Sequence, residues 1–335
     1  MYAVTDLALA PQPALPRPRG ELTAGLFAAL RRGPGPLAWP RLACADPLTD
    51  EDLQLALYAC YELHYRGWAD VDDAWEWHPS LLAFRAELEV AFEQALRDAI
   101  GFHPAPGDVA ASLWEMATTG DGPSLSAFVA EEGSLEQVRE LAVHRSAYQL
   151  KEADPHTWVI PRLSGRAKAT VVAIQHDEYG EGRLGAAHAE LFAQTMAALG
   201  LDPTYGVYLD RIPGFTLATT NLISWLGLHR RLRGALVGHL ALFEMTSVGP
   251  MGRYAATLER LGIGEEGRRF YDVHVEADEI HQHLAVDHMV GGLQSDEHDL
   301  AADVHFGARA VSALEATFTA RVLAAWRQGV SSLLP

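Results

Sequence analysis

The chain has 335 residues, 49% of them hydrophobic, and carries 44 acidic against 26 basic residues for a formal charge of −18. That is enough apolar length to bury a core in one large or two ordinary domains. The acid excess repels phosphate backbones and anionic lipid, so neither nucleic acid nor a membrane is expected as a partner, while an amine-bearing small molecule is compatible with such a field. Cys44 and Cys60 are too few for a disulfide framework and form no CxxC pair, which points to a reducing compartment and chemistry without thiolates.

In chain order, residues 1–40 are rich in Pro, Gly and Ala and end in RRGPGPLAWPR, and are expected to form an extended arm. Asp6 and prolines 11, 13, 16 and 18 fit neither a secretory signal nor a transit peptide, so a cytoplasmic location is expected. Residues 41–135 have helical spacing. One helix is predicted after an N-cap at Thr49, with Leu53, Leu55, Leu57, Ala59 and Leu63 as apolar positions and a stop at Gly67. Another is predicted in HPSLLAFRAELEVAFEQALRDAIG, with Pro79 near its start and Gly101 past its end. Breaks at residues 118–124 and at EEGS bound one short helix.

From residue 136 to 335 the pattern stays helical, through SLEQVRELAVHRSAYQLKEADPH, RAKATVVAIQHDEYGEGRLGAAHAELFAQTMAALG and a helix pair around LISWLGLHRRLRGALVGHLALFEMTSVGPMGRYAATLERLG. Its apolar runs, such as that around Arg233 to Leu242, fall short of the ~20 residues of a membrane span. No segment alternates with period two between hairpin turns. The expected fold class is all-α.

In such a bundle a redox or metal site is built from inward-facing carboxylates and imidazoles on several helices. In YDVHVEADEIHQHL, His274, Asp278 and His281 stand at i, i+4 and i+7 and share one helix face. They span roughly 10 Å of rise, so they can serve ions lying along that face. Glu244 sits in the apolar run HLALFEMTSV, where an ionised carboxylate must be paired, protonated or metal-bound.

QHDEYGEGRLGAAHAELF supplies Glu178, Glu181 and His188. In a straight helix Glu178 and His188 would be about 15 Å apart; Gly180 and Gly182 permit a kink that would close the gap, while Glu181 reaches His188 at i, i+7 without one. Glu152 in KEADPHTW precedes a proline that stops its helix at or before Asp154. Asp177, Glu276 and Glu279 are candidates to orient imidazoles or to form a solvated face. His283 and His288 are assigned to the surface or to support of the ligands rather than to coordination, and Tyr65 and Trp68 to the core. Tyr179, Arg183 and Arg253 are candidate anchors for a substrate carboxylate.

DEYGEGRLGAAHAELF, Glu244, the His274-x3-Asp278-x2-His281 motif and EADPHTWVIPRL together resemble the haem-oxygenase-like di-iron oxidases and oxygenases, over roughly residues 136 to 320. The resemblance implies a haem-oxygenase-like helical fold holding two iron ions, with Glu178, His188, Glu244, His274, Asp278 and His281 as metal ligands and Glu152 joining them in some members. It also implies that residues 41–135 mediate a homodimer and that O2 is the co-substrate, and it leaves room for an external electron donor. With no His-rich β-barrel sequence after Pro335, the cupin that completes nitroso formation in some members is expected to be absent.

Carboxylates and imidazoles without thiolate suit iron or manganese in both the +2 and +3 states. N-oxygenation of an amine or amino-acid derivative is the leading reaction. Oxidative C–C cleavage by the same ligands and non-catalytic iron binding are the alternatives; a ferritin-like store would carry Glu-x-x-His twice, which this sequence does not.

Overall fold

The computed structural model describes residues 12–119 and 122–335. Among these there is no strand, and the all-α expectation holds. The N-terminal third contains α1 (Glu21–Leu30), α2 (Glu51–Glu62), α3 (Pro79–Ile100), α4 (Val109–Thr118) and α5 (Leu125–Glu132). There follow α6 (Leu135–Gln149), a single turn α7 (Asp154–Thr157), α8 (Gly165–Glu178), α9 (His188–Ala198), α10 (Gly214–Leu228) and α11 (Arg233–Arg260). Then come α12 (Glu265–His283), a π-helical turn over Leu284–Val290, α13 (Gly291–Asp296) and α14 (Ala301–Arg327).

The expected extended arm is corrected in part. Its first eleven residues lie outside the described ones, but residues 21–30 form α1, which buries Leu22, Leu26, Phe27 and Leu30. The neighbouring helix explains why this short segment is helical. Asp52 of α2 accepts hydrogen bonds from the free N–H groups of Leu22 at 2.8 Å and Thr23 at 2.9 Å, a cap supplied across the helix pair to donors that would otherwise lack partners.

The N-cap of α2 is Asp50 rather than Thr49, its side chain accepting from the N–H groups of Asp52 and Leu53. The α3 boundaries follow the sequence, with Pro79 in the first turn and Gly101 at φ 75° closing the helix. The helix predicted across residues 166–200 is two helices, α8 and α9, and the break between them shapes the site described below.

α2 is buried on every side from Leu53 to Glu62, as expected of a helix apolar all round. It packs on α1, α3 and α10, and one apolar core runs without interruption from Leu22 through α10 and the first half of α11 to Leu314 of α14. A second core joins α5, α6, α9 and α12 to the later parts of α11 and α14. At the α11–α14 crossing the backbones nearly touch, since a Cβ on Gly238 would lie 1.8 Å from the Val304 carbonyl oxygen and one on Gly307 1.8 Å from that of Ala235. No helix among the described residues is long and apolar enough to cross a membrane.

One buried ion pair ties the N-terminal helices to the turn that carries Glu152. Lys151 Nζ lies 2.9 Å from Glu62 Oε2, which also accepts from the Tyr205 hydroxyl at 2.7 Å, and the ammonium faces the rings of Tyr58 and Tyr65 at 4.6 and 4.4 Å. Both partners are buried, so removing one strands a charge. Lys151→Met should lower stability by roughly 3–5 kcal/mol in urea unfolding, and Glu62→Leu added to it should restore most of that loss.

The imidazole of His144, hydrogen-bonded to Thr216 and Ser332, is pushed down by burial to about 3. Below the unfolded value of about 6.5 the unfolded chain takes up a proton that the folded chain refuses. Its contribution is therefore complete above that pH and is lost as pH falls toward the folded value. His144→Gln should flatten the acid limb of stability against pH, by roughly 2–3 kcal/mol at about pH 4.5.

Candidate metal centre

The seven sequence candidates come from five separate places in the fold. Glu152 lies in the turn between α6 and α7, Glu178 is the last residue of α8, His188 the first of α9, Glu244 is mid-α11, and His274, Asp278 and His281 are on α12. All seven are buried.

Glu178 and His188 meet because the chain doubles back between them. Gly180, Gly182 and Gly185 all have positive φ, and Glu181 between the first two is at φ 55°. A Cβ on Gly180 would lie 2.3 Å from the Ala186 backbone, so only glycine permits the return approach. His188 Nδ1 thereby reaches 2.8 Å from Glu178 Oε2. Glu181 instead turns outward, half-exposed, to Arg183 at 3.2 Å. The spacing argument that favoured Glu181 assumed a straight helix, and the helix is broken.

Glu152 is aimed by a second strained position. Ala153, buried and not glycine, sits at φ 74°, a conformation that persists only where its surroundings enforce it. The Ala153 carbonyl accepts from Gln175 Nε2 at 2.9 Å, a tie to α8.

The donors fall into two sets. The ligand atoms of Glu152, Glu178, His188 and His274 lie within 4.8 Å of one another, and so do those of Glu178, Glu244 and His281. Donors bound to one transition-metal ion at about 2.0–2.2 Å are separated by no more than roughly 4.4 Å, so each set is within a few tenths of an ångström of the dimensions of an ion site, and Glu178 belongs to both. Asp278 falls outside both sets but adjoins the second, its Oδ1 3.7 Å from His281 Nδ1. The α12 motif thus serves two positions along one face, His274 at the first and His281 at the second.

Both imidazoles of α12 are held from behind. His274 donates Nδ1–H to the Phe270 carbonyl at 2.7 Å, which turns Nε2 toward Glu152 at 3.7 Å. His281 donates Nε2–H to Asp177 at 2.9 Å, leaving Nδ1 toward Glu244 at 3.4 Å. Ser247 donates to Asp278 Oδ2. Asp177 was a sequence candidate for this orienting role; Ser247 was not, and only its i+3 spacing from Glu244 hinted at it. Glu276 and Glu279 are exposed and form a solvated face, as does His288. Tyr179 bonds Asp154 at 2.8 Å and Arg253 bonds Ser126 at 2.9 Å, so both anchors proposed there are already engaged. Trp68 is core.

The buried faces of the set are unsatisfied. Glu152 Oε2, His188 Nδ1, Asp278 Oδ1 and His281 Nδ1 are buried without hydrogen-bond partners. His188 Nδ1 remains without such a partner although Glu178 Oε2 is only 2.8 Å away. Such orphans are rare and costly in native proteins. Their convergence on two points fits cations, and four carboxylates with three imidazoles suit iron better than zinc.

Without ions the cluster stores protons instead. Burial raises Glu244 to about 8, the charges of Asp278 and Glu178 adding to it. For Glu178 burial acts in the same direction but is outweighed by His188, His274 and His281, which hold it down to about 2. Burial would lower His274 and His281, but Glu152 and Glu178 lift the first to about 10, while Glu244 and Asp177 lift the second to about 9. Ligands must shed these protons to bind a cation.

Anaerobic Fe(II) titration should therefore release protons, and its apparent affinity should rise roughly tenfold or more per unit between about pH 6.5 and 8. Asp177→Asn, which touches only the far side of His281, should weaken binding by about 10–100-fold while leaving the helical content unchanged.

A family model described as iron-containing redox enzyme matches residues 139–316, more than half of the chain and the whole of the cluster. No curated protein matches. A helical bundle with this buried carboxylate and imidazole set is what that family would require, and the chain belongs to it: this is an iron-containing redox enzyme, an oxidoreductase of haem-oxygenase-like all-α fold.

Proposed function

We propose that the protein is a non-haem di-iron enzyme that uses O2 to oxidise a small metabolite, with N-oxygenation of an amine or amino-acid derivative as its reaction. The observation that carries this reading is Glu178, one carboxylate common to two donor sets, which would serve a pair of ions. Glu152, His188 and His274 would hold one iron and Glu244 and His281 the other, with Asp278 beside the second. Bound iron would supply the electrons that activate O2.

In the proposed reaction the amine nitrogen gains one oxygen atom of O2. The other leaves as water, which consumes two electrons from an external donor and two protons.

The chain's own residues set the conditions for that chemistry. Phe270, Asp177 and Ser247 fix the orientation of three ligands, so that little reorganisation accompanies a change of charge at the centre. A cavity of about 680 Å³ reaches Glu152, Glu178, Glu244, His274 and Asp278, within the size range of small-molecule sites. Leu240, Leu242, Phe243 and Met251 give it apolar walls that limit water at the reacting centre. A protein that only stored iron would have no use for such a chamber beside its ligands, and this favours an enzyme.

Anaerobic titration should find about two Fe(II) per chain, one for each donor set, and the loaded protein should then consume O2 faster with an amine substrate present. His274→Ala and Asp278→Ala should each abolish substrate-dependent O2 uptake without loss of helical circular dichroism. Full turnover in either variant, or saturation at one ion per chain, would sink the di-iron reading.

A further inference from the structure

Two arginines are among the residues that line the cavity beside the cluster, Arg145 and Arg309. Arg145 is engaged: its two terminal nitrogens bond the two oxygens of Glu315 at 2.8 and 2.7 Å, and its guanidinium lies 4.2 Å from the centre of the Phe318 ring. Arg309 makes no hydrogen bond or ion pair with any described residue, and its Nε is buried without a partner. A guanidinium stays charged at any physiological pH and presents a planar fork matched to carboxylate. A partly buried one with no counter-charge from any described residue lacks the pairing that such groups need.

The position of Arg309 bears on what fills that gap. Arg233 at the start of α11 pairs with Glu297 just before α14, Gly234 packs at Leu300 and Asp303, Gly238 packs at Val304, and the C-terminal parts of both helices share the second core, so the two helices run in the same direction. Carried forward, this register sets Arg309 within about one helical turn of the level of Glu244, on the facing wall. From there Ser312, Ala316 and Thr319 continue the α14 side of the cavity at helical spacing, opposite Ser247, Met251 and Tyr254 of α11.

We infer that the substrate is a carboxylate and that Arg309 binds it, holding the molecule by one end while the rest lies along the cavity toward the metal ligands. The class of substrate is then a small carboxylic acid whose oxidisable nitrogen or carbon lies a few bonds from its carboxylate, an amino acid being the simplest example. Arg309 is a specificity-determining residue that touches substrate and no metal ligand. Which end of the molecule reacts rests on the function proposed above; the binding of the carboxylate does not.

The test is calorimetric titration of the full chain, with and without anaerobic Fe(II), using two matched probe pairs: L-phenylalanine against L-phenylalaninol, and octanoate against octan-1-ol. In at least one pair the wild type should bind the carboxylate roughly tenfold or more tighter than the alcohol. Arg309→Met should erase that preference and leave alcohol binding unchanged, while Arg309→Lys should keep part of it. Equal binding within both pairs of the wild type, or no binding of either carboxylate, overturns the inference without need of any variant. So does a preference that survives Arg309→Met, which would put the carboxylate on another group, the iron if the preference needs Fe(II). Fe(II) uptake measured in parallel should be the same in Arg309→Met and wild type. Failure of the wild type to take up iron would strike the proposed function and leave the Arg309 result standing.

Discussion

Everything distinctive in this bundle follows from seven acidic and imidazole side chains enclosed together in an apolar interior. Ions of like sign cannot be buried side by side unless opposite charge is brought to them. Here part of the compensation comes from histidine, as the depressed Glu178 carboxyl and the raised His274 and His281 imidazoles record. The remainder is left open as buried nitrogen and oxygen atoms without hydrogen-bond partners on four residues. A fold that tolerates such a centre must hold its elements rigidly, because each donor is kept in place by packing and not by the bonds it would make to its neighbours.

The rest of the architecture can be read as that support. The closely approached α11–α14 pair, with glycines where a side chain would collide, gives Glu244 a fixed wall. Of the three non-glycine residues at positive φ among those described, Ala153 and Glu181, the latter in the chain reversal after α8, sit close to ligand positions, and the third is Asp70. Strain of this kind concentrates where a fold must place a side chain against its own preference. A π-helical turn begins three residues after His281 and continues α12 toward α13, a further irregularity of the kind found near functional sites. The Lys151–Glu62 pair locks the turn bearing Glu152 to α2, so the N-terminal helices take part in positioning the site and not only in covering it.

The electrostatics of the cavity are divided. Its acidic end is where cations and protons gather, while its α14 wall offers Arg309, a positive group not neutralised by a described residue. A zwitterionic or singly charged carboxylate is thus met by opposite fields at its two ends. The overall acidity of the chain, which in the sequence hinted at amine-bearing ligands, is a weaker guide than this local arrangement, because exposed surface charge is screened within about 10 Å at ordinary salt.

Much was legible from the sequence alone. Helical periodicity marked every long helix, and the i, i+4, i+7 placement of His274, Asp278 and His281 lies within one helix whose geometry is invariant. Glu244 announced itself as an acid where only apolar residues belong. Local chemistry determined these features. Three others were decided by tertiary structure. Residues 21–30 read as an arm because their helix is capped by Asp52 on another element. The choice between Glu178 and Glu181 depended on a chain reversal whose path is set by packing against Ala186 and not by any residue's propensity. Arg309 was passed over because nothing within one helix tells a free guanidinium from a paired one. Whether a charge has a partner is a property of the space between helices, and that space exists only once the chain has folded.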